Sequence, residues 1–284
     1  MKRAIVTGAT SGIGLETCRM LLSMGVSVIG VARSEKKVNQ AQAYLSSCST
    51  PETLKFVMGD LSSIQKVQAL SDQLISSIHE RFGGSFDLLI HVAGMVSSAY
   101  HENEDGNELT FQVNHLSVFQ LSLALEPYLA KSKDPRMLVV SSKSHYKATI
   151  NTNNPQSKRF YNIIKAYMRS KTYNVLFVKG FQERYPHILS FAIDPGLVNT
   201  DLGLKNTSKL ASFVWSLRRK KGTDVHYPTQ FLVDVATQEN YKQYPGAYLL
   251  EGKPKDPNPI TMDPHLIQWL WNYSEMLIQK KHAK

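Results

Sequence analysis

Six short apolar runs, spaced by longer helical patterns, limit this chain more than any other feature. The runs are "RAIVT", "VSVIGVA", "LKFVMGD", "FDLLIHVAG", "RMLVVSS" and "ILSFAIDPG". They are rich in aliphatic and β-branched residues and lack the polar alternation of a half-exposed strand, so they read as strands buried on both faces. The stretches between them, such as "IQKVQALSDQLISSI", "ELTFQVNHLSVFQLSLALEPYL" and "NIIKAYMRSKTYNVLFVKGFQERY", carry helical periodicity. Strand and helix in strict alternation predict an α/β fold, a doubly wound parallel sheet with right-handed crossovers. The chain has 284 residues, 42% of them hydrophobic, enough for a large core. It shows no repeat, no low-complexity tract and no linker in its first two thirds. A single domain over residues 1–284 is expected, with a cofactor-binding and catalytic core at 1–196. A substrate lid at 197–222 and C-terminal helices with a last strand at 223–284 complete it.

The stretch "TGATSGIG", Thr7 to Gly14, follows the first strand and opens the first helix. A surface turn needs one or two glycines; this one has three. Gly8 suits a sharp turn, Gly12 removes a side chain where a pyrophosphate would lie, and Gly14 lets helix pack closely on strand. The helix N-terminus adds free N–H groups and partial positive charge for an anion. Thr10 and Ser11 offer hydroxyls, and Ile13 lies in the same turn. This is the dinucleotide site of a Rossmann fold, with a plain strand-to-helix connection as the alternative. At the end of the second strand an NAD site carries an acidic residue for the ribose. Here the strand runs into "GVARSEKK", with Ala32 in that place and Arg33 after it. A guanidinium pairs well with a 2′-phosphate, assisted by Ser34, Lys36 and Lys37, so NADP(H) is the expected cofactor. Asp60, with Leu61 beside it, either meets the adenine edge or caps the next helix.

Ser141 and Ser142 end the fifth strand, at the edge where ligands bind in such sheets. Downstream, "AYMRSK" places Tyr167 and Lys171 four residues apart on one helix face. A phenol is a poor base at neutral pH, but an ammonium and a nicotinamide cation favour its phenolate. Lowering its pKa by ~3 units corresponds to ~4 kcal/mol. Ser142 would then bond the substrate oxygen while Tyr167 exchanges its proton. "YNIIK" offers Tyr161 and Lys165 at the same spacing, but six residues away, and so on another side of the helix. The small Ser170, read as leaving room for a close cofactor, favours Tyr167.

With these motifs in order, the chain resembles the classical short-chain dehydrogenase/reductase superfamily over nearly its whole length. "TGATSGIG" resembles the nucleotide motif, "YMRSK" the active-site motif and "DPGLVNT" the motif after strand six. The insertion between Ser142 and Tyr167 and the tail "LIQWLWNYSEML" are most similar to retinol dehydrogenase-like and WW-domain-oxidoreductase-like members. The resemblance implies that Asn114 completes a Ser–Tyr–Lys–Asn tetrad, holding the helix backbone and a water against Lys171. It also implies that Pro195, Gly196, Val198 and Thr200 wrap the nicotinamide, and that Ala93 and Gly94 approach the adenosine. Where the family has "NNAG", this chain has "HVAG". His91 then either replaces one hydrogen bond or is a satisfied core histidine.

The implied activity is NADP(H)-dependent hydride transfer between nicotinamide and a carbonyl or alcohol, probed against two alternatives. One is a nucleotide-sugar epimerase or dehydratase, which usually needs a longer C-terminal domain than remains after "DPG". The other is a non-catalytic cofactor-binding sensor, which would not need the tetrad. "LASFVWSL" suggests an apolar pocket wall, hence a retinoid, steroid, lipid or aromatic substrate. Lys plus Arg number 33 against 23 Asp plus Glu, a net charge of +10. Nothing in the motifs calls for nucleic acid, and the charge is compatible with a phosphorylated cofactor or an anionic surface. Phe213 to Gly222, "FVWSLRRKKG", is either a lid with solvated cations or a weak peripheral membrane contact. Cys18 and Cys48 make no metal pattern and read as reduced thiols. No signal peptide and no run of ~20 apolar residues is evident, so a cytoplasmic location is expected, with peripheral membrane contact left open. Oligomeric state is not legible.

Overall fold

The first strand, β1 (Arg3–Thr7), alternates its side chains between two buried faces. Ile5 points into one apolar layer and Ala4 and Val6 into the other. Every central strand repeats this, which is why none shows a polar alternation. Residues 1–196 and 225–282 are the described part of the computed structural model. They form one eight-stranded sheet in the order β3-β2-β1-β4-β5-β6-β7-β8. Its strands are β1, β2 (Ser27–Ala32), β3 (Leu54–Met58), β4 (Leu88–His91), β5 (Arg136–Val140), β6 (Leu189–Asp194), β7 (Tyr248–Leu250) and β8 (Lys253–Pro254). The first seven pair in parallel, and β8 turns back antiparallel on β7.

Helices cover both faces. One layer holds α1 (Gly12–Ser23), α2 (Glu35–Leu45) and α7 (His226–Thr237), whose Cys18, Leu21, Leu45 and Leu232 pack on Val6, Val28 and Ile90. The other holds α3 (Ile64–Phe82), α5 (Ser117–Leu129), α6 (Ile163–Arg184) and α8 (Pro264–His282). Its core includes Leu70, Phe119, Phe177 and Trp271. The carboxylate of Glu16 ties the first layer together: it accepts from Arg19, from Tyr44 of α2 at 3.1 Å and from His226 of α7 at 2.8 Å.

Chain order reverses between β1 and β4, the neighbours from which the two halves of the sheet run outward. In open parallel sheets, ligands bind beyond the carboxyl ends of the strands at such a reversal. The long helix expected over residues 108–129 is instead divided. A single turn, α4 (Leu109–Phe111), leads into a π-helical turn at Gln112–Leu116 and then into α5. The widened turn carries Asn114, and its cause lies in what Asn114 holds. Among the described residues no helix is long and apolar enough to cross a membrane.

Candidate active site

The glycine loop is built by close approach. Gly8 has φ +71°, and a Cβ on it would lie 3.0 Å from the backbone of Ala93, in the loop after β4. A Cβ on Gly14 would sit 2.2 Å from the Gly8 carbonyl oxygen, so no larger residue fits without moving the loop. Gly12 is also left-handed, at φ +54°. Ser11 is the exposed N-cap of α1, yet its hydroxyl does not cap the helix. The first-turn amides of a helix lack intrahelical partners and keep bonding capacity for an anion. Thr10 and Ile13 flank Ser11 half-buried, and the Ile13 carbonyl accepts from Thr17 Oγ1 at 2.7 Å. A cradle with this shape fits a dinucleotide pyrophosphate.

Beside it, Arg33 is exposed beyond the end of β2, after buried Ala32. Ser34 caps α2 by position, but not through its side chain. Asp60 accepts from Ser62 N at 3.1 Å and Ser62 Oγ at 2.7 Å, with Lys66 Nζ at 3.3 Å. Burial opposes its charge, but these bonds and Lys66 outweigh that and hold the carboxyl below its usual range. The N-cap of α3 is Ser63 and not Asp60, which shapes the turn before it. Leu61 lies half-buried against the core, its carbonyl accepting from Gln112 Nε2 at 3.4 Å.

Asn114 is fully buried and grips the loop after β4. Its Oδ1 accepts from Met95 N at 2.7 Å, and its Nδ2 donates to Met95 O at 2.9 Å and Ser170 Oγ at 3.0 Å. Ser170 in turn donates to the Tyr167 carbonyl at 2.8 Å. One hydrogen-bonded line therefore joins the β4 loop, the π turn and α6. Ser170 thus has a bonding role in this line that the sequence did not suggest. Gly94 sits against the same group, its Cβ direction 3.4 Å from Asn114 Oδ1 and 3.7 Å from Lys171 Nζ.

Tyr167 and Lys171 are both buried on α6, with Lys171 Nζ 5.8 Å from the centre of the Tyr167 ring. The ammonium donates to the Val140 carbonyl at 2.9 Å, at the carboxyl end of β5. Ser141 Oγ donates back to the Lys171 carbonyl at 3.0 Å. Burial pulls Lys171 down to about 8, against the opposing charge of Asp194. Ser142, two residues beyond Val140, starts a 3-10 turn at Lys143–Lys147, its Oγ accepting from Ser144 N at 3.3 Å. The rival pair does not converge. Tyr161 lies outside α6 and donates to buried Glu108 at 3.0 Å; burial and that carboxylate push its phenol up. Lys165 is exposed.

After β6, Gly196 has φ +84°, and its N–H donates to Asp194 Oδ1 at 2.8 Å next to Pro195. Val198, Thr200 and the stretch Phe213 to Gly222 lie outside the described residues, as does the expected lid at 197–222. His91 is 2% exposed with Nε2 3.0 Å from Ser122 Oγ, a satisfied core histidine that burial drives down to about 3. The β4 loop is held instead by Thr7, whose hydroxyl accepts from Val92 N at 3.1 Å and Ala93 N at 3.2 Å. Sequence reasoning passed over Thr7, though it begins the glycine motif. It also passed over His145, whose ring contacts the Ser142 carbonyl through Nδ1 at 2.8 Å.

Residues 2–211 match the family model described as short chain dehydrogenase. The chain belongs to this family of oxidoreductases. Among short chain dehydrogenases, human "Retinol dehydrogenase 14" is 29% identical over 301 residues, covering 98% of this chain and 86% of that protein. The "WW domain-containing oxidoreductase" of Drosophila melanogaster is also 29% identical, over 98% of this chain and 68% of that protein. Human "Polyprenol dehydrogenase" is 31% identical over 70% of this chain and 61% of its own length. The expected likeness to retinol dehydrogenases is borne out. Solved structures share the fold: an uncharacterized protein from Mycobacterium paratuberculosis aligns with a TM-score of 0.73 at 24% identity, over 98% of this chain and 94% of that one. A Shigella flexneri short chain dehydrogenase complexed with NADP aligns with a TM-score of 0.69 at 19% identity, over 88% and 96%.

Proposed function

We propose that this short chain dehydrogenase interconverts an apolar alcohol and its carbonyl compound using NADP(H). The observation that carries the reading is the buried Tyr167–Lys171 pair, anchored on the last carbonyl of β5 beside the glycine cradle. Gly8, Thr10, Ser11, Gly12, Ile13 and Gly14 would hold the pyrophosphate. Arg33 and Ser34 would hold the 2′-phosphate, Asp60 and Leu61 the adenine, Ala93 and Gly94 the adenosine, and Pro195, Gly196, Val198 and Thr200 the nicotinamide. An exposed guanidinium at Arg33, with Ala32 where an NAD site carries an acidic residue, favours the phosphorylated dinucleotide. The bound cofactor supplies or accepts the hydride.

Tyr167 gives its phenolic proton to the carbonyl oxygen in reduction and takes it back in oxidation. The Lys171 ammonium lowers the cost of the phenolate, since opposite charges at short range in a dry site attract strongly. Ser142 bonds the same substrate oxygen, and Asn114 fixes α6 against the β4 loop. An apolar substrate is supported by the relatives whose names cite retinol and polyprenol as substrates. Loss of absorbance by NADPH or NADH with a panel of apolar aldehydes and ketones tests the reading. General acid–base catalysis is worth ~10²–10⁴-fold, so Tyr167→Phe should slow turnover by about that factor with dinucleotide binding retained. Tyr161→Phe should keep most activity. Turnover by Tyr167→Phe at the wild-type rate overturns the assignment.

A further inference from the structure

We propose that Asp194 is a positioning residue that sets the pH at which the Tyr167–Lys171 pair exchanges protons, by holding a buried negative charge one strand from Lys171. The inference rests on the reading of that pair as the proton-transfer group.

Asp194 is the last residue of β6 and is 1% exposed. Each carboxylate oxygen has a neutral donor: the Gly196 amide at 2.8 Å on Oδ1 and the Tyr248 hydroxyl at 2.9 Å on Oδ2. Among the described residues no ion pair neutralises it. Lys171 Nζ reaches Val140 O, and Val140 pairs in register with Ile193, the residue before Asp194. Adjacent strands lie ~4.8 Å apart, so ammonium and carboxylate share the dry end of two neighbouring strands. Their charges act on one another with little water between them.

Among the described residues, the other groups around the pair leave that charge unanswered. Tyr248 of β7 and Tyr146 of the 3-10 turn have phenols pushed up by burial and by Asp194 itself, so both stay neutral. His145 is pulled down by burial, against the Ser142 carbonyl and Asp194, and its Nε2 accepts from Asn258 N at 3.1 Å. It too is neutral at ordinary pH. Lys143 and Glu251 pair with each other at 3.6 Å on the half-exposed rim and nearly cancel. Among the described residues, the π turn, the β4 loop and the segment after β5 bring Asn114, Gly94, Ser141 and Ser142, none of them charged. Lys171 is drawn down by burial, and Asp194 is the charge that limits the fall.

In oxidation the alcohol C–H hydride leaves with its electron pair for the oxidised dinucleotide, and the O–H proton passes to the Tyr167 phenolate oxygen; reduction returns both. The phenolate must therefore exist at working pH. A nearby anion keeps protons on both members of the pair, which titrate as a unit. Asp194 thus raises the pH at which alcohol oxidation switches on and keeps the pair proton-loaded, suited to carbonyl reduction, near neutrality.

The test is Asp194→Asn, which keeps an acceptor for Gly196 N and a polar group at Tyr248 but removes the charge. The acid limb of the oxidation pH profile in kcat/KM should move down by about one pH unit. Tyr248→Phe removes the donor and keeps the charge, so its limb should not move down. Tyrosinate absorbance attributable to Tyr167, taken as the difference between each protein and its Tyr167→Phe counterpart, should shift the same way and needs no turnover. A protein that oxidises no alcohol would thus fail the functional reading while leaving this inference measurable. Should Asn fail to fold, Asp194→Ser, which can also accept from Gly196 N, takes its place. Unmoved profiles and tyrosinate signals in a folded neutral variant overturn the proposal. So does an equal downward shift in Tyr248→Phe, or unfolding of both neutral variants, which would make the residue structural only.

Discussion

Two buried histidines make the stability of this fold depend on pH. Among the described residues, His91 at the end of β4 has Ser122 as its side-chain partner, and His115 is fully buried with Nε2 3.0 Å from Ser274 Oγ and Nδ1 without a partner. Burial pulls both from 6.5 to about 3. A folded-state pKa below the unfolded one means that stability is complete above pH 6.5. It falls as pH drops toward 3, because only the unfolded chain takes up the proton in that window. At pH 5, 1.5 units below 6.5 and 1.36 kcal/mol per unit, each histidine should cost about 2 kcal/mol, and the pair about 4 kcal/mol. That is a large part of the ~5–15 kcal/mol that holds a domain together. Asp134, held near 2 by Lys2 and Arg136 despite its burial, loses its contribution only as pH falls from 3.8 toward 2, well below pH 5. Glu108, raised by burial, works in the opposite sense, so the comparison must be between proteins. Urea unfolding of the wild type, His91→Asn and His115→Gln at pH 7.5 and 5.0 supplies it. Each variant should lose about 2 kcal/mol less than the wild type between the two pH values. A variant that loses as much as the wild type would show that its histidine is protonated when folded and would refute the reasoning.

Arg33→Ala should weaken NADPH binding about tenfold to a hundredfold, the ~1.5–3 kcal/mol of a charged hydrogen bond, and leave NADH nearly unchanged. Fluorescence titration with both dinucleotides checks this, and a wild type that prefers NADH refutes it. Gly14→Ala puts a methyl 2.2 Å from the Gly8 carbonyl. It should lower the thermal midpoint and abolish dinucleotide binding together; a variant with wild-type binding would show that the loop can yield.

The strands were legible because burial on both faces writes itself as unbroken apolar runs, and β1 to β6 follow those runs closely. The glycine turn was legible because steric exclusion at Gly8 and Gly14 leaves few residue choices. What the pattern hid depends on tertiary partners. The π turn has no local signature; it exists where Asn114 must reach Met95 and Ser170 at once. Ser170 looked like spare room because its partner is 56 residues away in the chain. Tyr161 shares the Tyr167 spacing but lies ahead of the helix cap at Asn162, so spacing alone misjudged its surroundings. Asp194 read as part of the motif after strand six, and the structure adds that it is buried with Tyr248 on its carboxylate.

The short return strand β8 changes how this molecule meets its own copies. A parallel sheet ending at β7 would offer the backbone of Leu249 and Leu250 as a template for another chain's strand. Lys253 and Pro254 occupy that edge, pairing with Leu250 and Leu249. Proline has no N–H to offer an incoming strand, and the lysine charge resists stacking of like edges. Two residues are too short to extend the ladder further. At this border of the sheet, the fold carries its own guard against edge-to-edge aggregation.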